Sequence, residues 1–334
     1  MHPFILQRAT TSKQAAQALF DRAGARFLAG GTTLIDLMKL GIERPTALVD
    51  INAVQDLGRI DIVGDGSLRI GALARMSDVA DDPHVRVGWP MVSQSLWKAA
   101  SAQLRNMATI GGNLMQRTRC PYFRDTGFAH CNKRNPGSGC DAIGGHNREN
   151  ALLGTSEHCI ALHPSDLCVA LAALGATIET LSPDGPRLFD FDALHRLPGD
   201  RPHLEHGLGP GELITAVLVP ASAVAKRSLY LKVRDRQSYQ FAVTAVAAGL
   251  ELGPDGSVIQ ARLGLGGVAT KPWRATVAEQ FLTGRRIDEA TALEAGKRAM
   301  TGAVPREHNA FKVPLMQRTV ANALLQLAGS EDRQ

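Results

Sequence analysis

The sequence predicts an α+β protein of two domains with a boundary near Ala221–Lys226, and three observations predict it. A chain of 334 residues is long for one hydrophobic core. A compact strand–turn–helix–strand unit opens it. Strand patterns followed by helix patterns close it, the order of an α+β domain.

Ser12–Arg22 has amphipathic helical spacing, with Ala16, Leu19 and Phe20 on one face and Ser12 placed to cap it. A short strand at Arg26–Ala29, a Gly30-Gly31-Thr32-Thr33 turn, a helix to about Leu40 and a strand at Ala47–Ile51 follow. Leu68–Leu73 alternates like a strand, and Met91–Ala100 is spaced like a helix. From Arg117 to Cys159 neither period appears, a length that implies function or a hold other than a core. Regularity returns with a helix at Ser165–Leu174, strands at Ala176–Leu181 and Arg187–Phe191 around Ser182-Pro183-Asp184-Gly185, and a strand at Leu213–Val219. Beyond the boundary, strands at Leu229–Val233 and Phe241–Leu252 lead through Pro254-Asp255-Gly256 into Val258–Leu265. Helices follow near Thr276–Leu282, Glu289–Met300 and Val313–Leu327.

Composition excludes several classes. The net charge of +5 is modest at this size, with no Lys/Arg block and 5% aromatic residues, so no nucleic-acid footprint or base-stacking platform is expected. No apolar run reaches the ~18 residues of a membrane span. Met1–Thr10 lacks a charged segment followed by an apolar one, so no signal peptide is expected. That places the protein in the cytoplasm by default, or in the periplasm if a signal-bearing partner carries it there.

Four segments carry candidate chemistry. In Phe27-Leu28-Ala29-Gly30-Gly31-Thr32-Thr33-Leu34 a strand enters a helix through two glycines. Free N–H groups and the helix dipole there favour a phosphate, although a plain β-to-α turn has the same pattern. A second glycine pair lies in Arg105-Asn106-Met107-Ala108-Thr109-Ile110-Gly111-Gly112-Asn113-Leu114. Two such loops could grip a pyrophosphate from both sides; a β-turn with Asx capping is the plainer alternative. His163-Pro164-Ser165-Asp166-Leu167 is an ordinary helix start, whose carboxylate could also accept from a ribose or an adenine amino group. Finally, Cys120, Cys131, Cys140 and Cys159 stand singly in a stretch rich in Gly, Pro and Asn. Thiolates suit zinc, copper(I) or an iron–sulfur cluster. Structural zinc usually has close cysteine pairs, and the turns of Asn135–Cys140 supply N–H groups of the kind that bond cluster sulfurs. Cluster, zinc, and free or disulfide-linked cysteines all remain open from spacing alone. His130, His146 and His158 are nearby and could replace a ligand, though each reads first as a loop or surface histidine, and Cys168 reads as a core residue.

Taken together, the two glycine loops and Ser165-Asp166 resemble the FAD-binding medium subunits of molybdenum hydroxylases, which include xanthine dehydrogenases, carbon monoxide dehydrogenases and bacterial aldehyde oxidoreductases. Gly211-Glu212-Leu213-Ile214 and Lys232-Val233-Arg234 are placed as in that family, and the resemblance covers nearly the whole chain. It implies a vanillyl-alcohol-oxidase-like (PCMH-type) FAD-binding domain over 1–222, with subdomains of about 1–53 and 54–222. A C-terminal α+β domain like that of the CO dehydrogenase flavoprotein would cover 223–330. Phe27–Leu34 together with Asn106, Ala108, Thr109, Gly111, Gly112, Asn113 and Leu114 would hold FAD. Asp166 would contact its nucleotide end, and Lys232 would lie near the flavin.

The insert of about 117–160 resembles the subset of that family with a 4Fe–4S cluster on Cys120, Cys131, Cys140 and Cys159, closest to the periplasmic-type aldehyde oxidoreductases. The chain would then be an electron-transfer subunit with no catalytic acid or base of its own. It would work with a small 2Fe–2S subunit and a large molybdopterin subunit and deliver electrons to an external acceptor. A subunit of a 4-hydroxybenzoyl-CoA reductase-like or xanthine dehydrogenase-like enzyme is the alternative within the family. A zinc-stabilised nucleotide-binding module without redox activity is the alternative outside it.

Overall fold

The structure, a computed structural model, describes residues 1–329. It opens with a three-stranded parallel sheet in the order β1-β3-β2, made by Ile5–Arg8 (β1), Ala25–Leu28 (β2) and Ala47–Asp50 (β3). Sequence pattern does not mark β1, because Ile5 and Leu6 are both exposed. Its pairing with β3, Ile5 opposite Ala47, makes it a strand. Parallel strands need crossovers, and helices Ser12–Phe20 and Leu34–Lys39 lie in them. The cap of the first helix is Thr11 rather than Ser12: the Thr11 hydroxyl accepts from the Gln14 N–H, and Ser12 is already helical.

A five-stranded antiparallel sheet follows, ordered β4-β5-β8-β6-β7. Its strands are Ile60–Ile62 (β4), Leu68–Gly71 (β5), Thr177–Ser182 (β6), Gly185–Asp190 (β7) and Leu213–Val219 (β8). Leu68, Ile70, Ile178 and Val217 share a core with Val92 and Leu96 of helix Pro90–Trp97 and with Leu167 and Leu171 of helix Asp166–Leu174. The latter helix starts and stops where its residue types dictate. The Ser165 hydroxyl accepts from the Cys168 N–H, and Gly175 closes it in the left-handed conformation at φ 64°. Cys168 lies in this core, as its place in the sequence predicts.

The C-terminal unit is a four-stranded antiparallel sheet, β12-β11-β10-β9. It comprises Ser228–Val233 (β9), Thr244–Leu252 (β10), Val258–Gly266 (β11) and Trp273–Arg274 (β12). The predicted hairpin joins β10 to β11, with Gly256 at φ 79° in its turn. Helices Thr276–Leu282, Glu289–Ala299 and Lys312–Ala328 share a second core with this sheet. Among the described residues no helix is long and apolar enough to cross a membrane.

The aperiodic insert is ordered by local means. It contains single helical turns at Pro121–Arg124 and Asp141–Gly144. A small core of its own gathers Phe123, Ala142, Ile160 and the cysteines. Leu37, from the helix that follows the first glycine loop, completes that core. On the same helix Asp36 accepts from Arg124 at 2.8 Å and Arg119 at 3.4 Å. The insert is therefore docked on the element that carries the first loop.

Candidate functional site

One cavity of about 730 Å³ opens between the first sheet, the five-stranded sheet and the insert. Phe27, Ala29, Gly30, Gly31, Thr32, Thr33 and Leu34 line it on one side, and Thr109, Gly111, Gly112 and Leu114 on another. The segment Leu208–Ile214 closes a third side. Its volume is in the range of pockets for large cofactors.

The first loop is built to donate. Within the described residues the backbone N–H groups of Gly30, Gly31, Thr32 and Thr33 have no acceptor, and the Thr33 side chain makes no capping bond. Gly31 takes φ 72°, which glycine adopts without strain and which turns successive N–H groups into a concave nest. Consecutive unspent donors at a helix start, facing a cavity, are what a pyrophosphate requires.

The second loop is different. Its Ile110 and Gly111 N–H groups donate to the carbonyls of Ala74 and Ala72, and the Gly112 N–H donates to the Thr109 hydroxyl. The loop therefore supplies a close wall in place of a second set of donors. Asn113 is turned away from the cavity: its Oδ1 accepts from Ser165 at 2.5 Å and its amide faces the Met76 sulfur. Asn106 is exposed, and Ala108 packs on the main core; neither lines the cavity, nor does Leu28. The two loops touch through Gly30, where a Cβ would collide with the carbonyl of Met107. That carbonyl is also held by the Arg75 guanidinium.

Asp166 and Lys232 do not line the cavity either. They meet each other, with Lys232 Nζ 2.7 Å from Asp166 Oδ2, the two side chains 1% and 6% exposed. The Tyr230 hydroxyl donates to Asp166 Oδ1 at 2.6 Å, and Lys232 also donates to the Lys98 carbonyl. Burial pushes the Asp166 carboxyl up, against the pull of Lys232. The pair fastens helix Asp166–Leu174 to β9, joining the first domain to the second. Asp166→Ala is expected to cost about 3–5 kcal/mol, because it strands a buried ammonium. Denaturant unfolding measures this, and an unchanged midpoint would refute the fastening role.

Two histidines complete the wall in a way sequence reading missed. His163 and His195 line the cavity with rings 4.5 Å apart, edge to face. His195 Nε2 is 3.0 Å from the Leu114 carbonyl, while His195 Nδ1 and His163 Nε2 are buried without a partner. Burial holds His163 well below the ordinary imidazole range and brings His195 down to about 4. An unfolded histidine titrates near ~6.5, so between these values the unfolded chain binds the extra proton. Stability is then present above about pH 6.5 and lost as pH falls toward about 4. His195 contributes at most about 3 kcal/mol of this slope. Unfolding midpoints at neutral and mildly acidic pH check it, and His195→Gln should flatten the difference.

The cysteines converge on a second, smaller cavity beside the first. Cys120, Cys131, Cys140 and Cys159 all line it, and none forms a disulfide. Cys131 and Cys140 face each other across a backbone bridge. The Asn150 amide lies 3.5 Å from the Cys120 sulfur, and the Ala161 N–H 3.4 Å from that of Cys159. Burial pushes the thiols of Cys120 and Cys140 up, and that of Cys159 to about 12. Burial thus disfavours the bare thiolates of these three, a cost that a bound metal cation would offset. His130 and His158 border the same cavity, whereas His146 stacks against His308.

This arrangement matches a known class along its length. Residues 2–222 match the family described as the FAD-binding domain in molybdopterin dehydrogenase, and residues 229–327 match the CO dehydrogenase flavoprotein C-terminal domain. The chain belongs to the FAD-binding medium subunits of the molybdenum hydroxylases, and is thus an oxidoreductase flavoprotein subunit of the aldehyde oxidoreductase and CO dehydrogenase type. It is 46% identical to the aldehyde oxidoreductase FAD-binding subunit PaoB of Escherichia coli K12, over 97% of this chain and 98% of that one. It is 28% identical to the glyceraldehyde dehydrogenase medium chain of Sulfolobus acidocaldarius, over 86% and 85% of the two chains. Among solved structures, quinoline 2-oxidoreductase from Pseudomonas putida 86 superposes with a TM-score of 0.76 at 25% identity, covering 98% of both chains. The fold agrees with the predicted FAD-binding domain and C-terminal α+β domain. Membership of an oxidoreductase family sets aside a nucleotide-binding module without redox activity.

Proposed function

We propose that the chain holds a 4Fe–4S cluster on Cys120, Cys131, Cys140 and Cys159 beside its FAD. On this reading it carries electrons for an aldehyde-oxidising complex with a small 2Fe–2S subunit and a large molybdopterin subunit. The observation that carries this is the convergence of four free cysteines on one cavity, docked on the helix of the first glycine loop. The likeness to an aldehyde oxidoreductase subunit over 97% of the chain supports the substrate class.

The donor set favours a cluster over one zinc ion. Tetrahedral zinc at ~2.3 Å from each sulfur draws its ligands to within about 4 Å of one another. Among the described residues, the trio of ligand-type side chains whose donor atoms lie within 4.8 Å of one another is His163, Cys168 and His195, and it includes none of the four insert cysteines. A larger cluster spreads its thiolates further apart.

FAD accepts electrons singly or in pairs, which lets one-electron carriers serve a two-electron oxidation. This chain's residues would do the holding: the unspent Gly30–Thr33 N–H groups would donate to the pyrophosphate, the Thr109, Gly111, Gly112 and Leu114 wall would bound it, and the His163–His195 wall would keep water from one side. The substrate is oxidised on another subunit, and electrons leave this one to an external acceptor.

The absorption spectrum of the anaerobically purified chain tests the reading. Flavin bands together with a broad shoulder that bleaches with dithionite are expected. A protein with flavin bands alone, or with one bound zinc, would refute the cluster.

A further inference from the structure

Lys133 belongs to both cavities. Its backbone lies in the loop between Cys131 and Cys140, and it lines the cysteine cavity. It also lines the large cavity. Among the described residues it is the one member common to both linings. The amine donates to the Pro202 carbonyl at 3.1 Å and lies 3.5 Å from Glu205 Oε1, with the side chain 12% exposed. Glu205 is gripped twice by Arg117, at 2.9 and 2.6 Å, and Arg117 reaches Glu43 at 2.6 Å. The wall between the cavities thus sets Arg117 and Lys133 against Glu43 and Glu205, with Arg26 3.7 Å from Glu43 at its far edge. Lys133 is the cation that reaches the cysteine side.

An electron added to either cofactor adds negative charge next to this wall. A buried, fixed ammonium attracts that charge with little screening by solvent or salt. Without Lys133, Glu205 keeps only Arg117, which it shares with Glu43, while Glu43 also keeps Arg26 at 3.7 Å, so the wall loses the positive charge that faces the cysteine side.

We propose that Lys133 is a shared positioning charge that makes both the flavin and the cluster easier to reduce, so that their potentials move together. This rests on the reading of the four cysteines as a cluster site. The test is an anaerobic redox titration of the full complex, following the flavin by absorbance and the cluster by low-temperature electron paramagnetic resonance. Lys133→Met should lower both midpoint potentials at unchanged iron and FAD content, and Lys133→Arg should return both toward wild type. Both centres present at unchanged potentials, or a shift in only one, would overturn the proposal.

Glu205→Gln supplies the opposite arm should Lys133→Met fail to fold. Loss of that carboxylate should raise both potentials, and no change there would overturn the proposal equally. A wild-type complex showing flavin but no signal from this cluster sinks the cluster reading itself. That outcome is told apart because it appears before any substitution is made.

Discussion

Adding one methyl group at Gly30 is expected to remove most of the bound FAD. A Cβ there collides with the Met107 carbonyl, which the Arg75 guanidinium holds in place, so the obstacle is backbone that cannot swing aside. The first loop must shift, and with it the four N–H groups that have no acceptor among the described residues. Overpacking of this kind costs about 1–3 kcal/mol, and each 1.4 kcal/mol is about tenfold in affinity. Gly30→Ala should therefore weaken FAD retention about tenfold or more. At Gly111 a Cβ meets Ala72 at 3.0–3.2 Å, so Gly111→Ala is milder and Gly111→Val severe. At Gly112 the neighbour is the Thr109 hydroxyl at 3.0 Å, which can rotate, and the effect is least. FAD per chain after gel filtration gives the order. Wild-type retention in Gly30→Ala would contradict the loop-to-loop contact as the basis of binding.

Cys140→Ser is expected to abolish the iron chromophore while most FAD remains. Cys140 is the least buried of the four, so its replacement disturbs the insert core least. A serine hydroxyl is a hard, weakly acidic ligand and a poor substitute for thiolate on iron. The large cavity is lined by Gly30–Leu34 and by Thr109, Gly111, Gly112 and Leu114, all of which this substitution leaves intact. Iron and sulfide analysis beside the flavin spectrum decides the matter. Loss of flavin with the chromophore retained would show that the cysteines serve the flavin site instead.

Much of this site was legible in the sequence, for physical reasons that differ by residue. The glycine pairs announce themselves because only glycine tolerates φ 72° at Gly31 and backbone contact at Gly30. Sequence could not show that the second loop spends its N–H groups on Ala72 and Ala74, since that depends on tertiary packing against the segment that follows β5. For the same reason Asp166 and Lys232, distant in the chain, read as two separate cofactor contacts and turn out to bond each other. His163 reads as part of a helix start, and His195 carries no pattern at all; their shared wall exists only in the fold. The exposed β1 lacked alternation and was missed, whereas Ser165 and Gly175 mark their helix ends by residue type alone. The cysteine spacing leaves cluster, zinc and free or disulfide-linked thiols open, and the fold brings the four cysteines to one cavity without a disulfide.

The central claim is that one chain carries both FAD and a 4Fe–4S cluster. Mössbauer spectroscopy tests it most directly, on iron-enriched chain purified anaerobically without other subunits. A 4Fe–4S spectrum that reduction with dithionite alters is expected, in protein that also contains FAD. Iron-free protein with FAD and one zinc bound to the cysteines would contradict it.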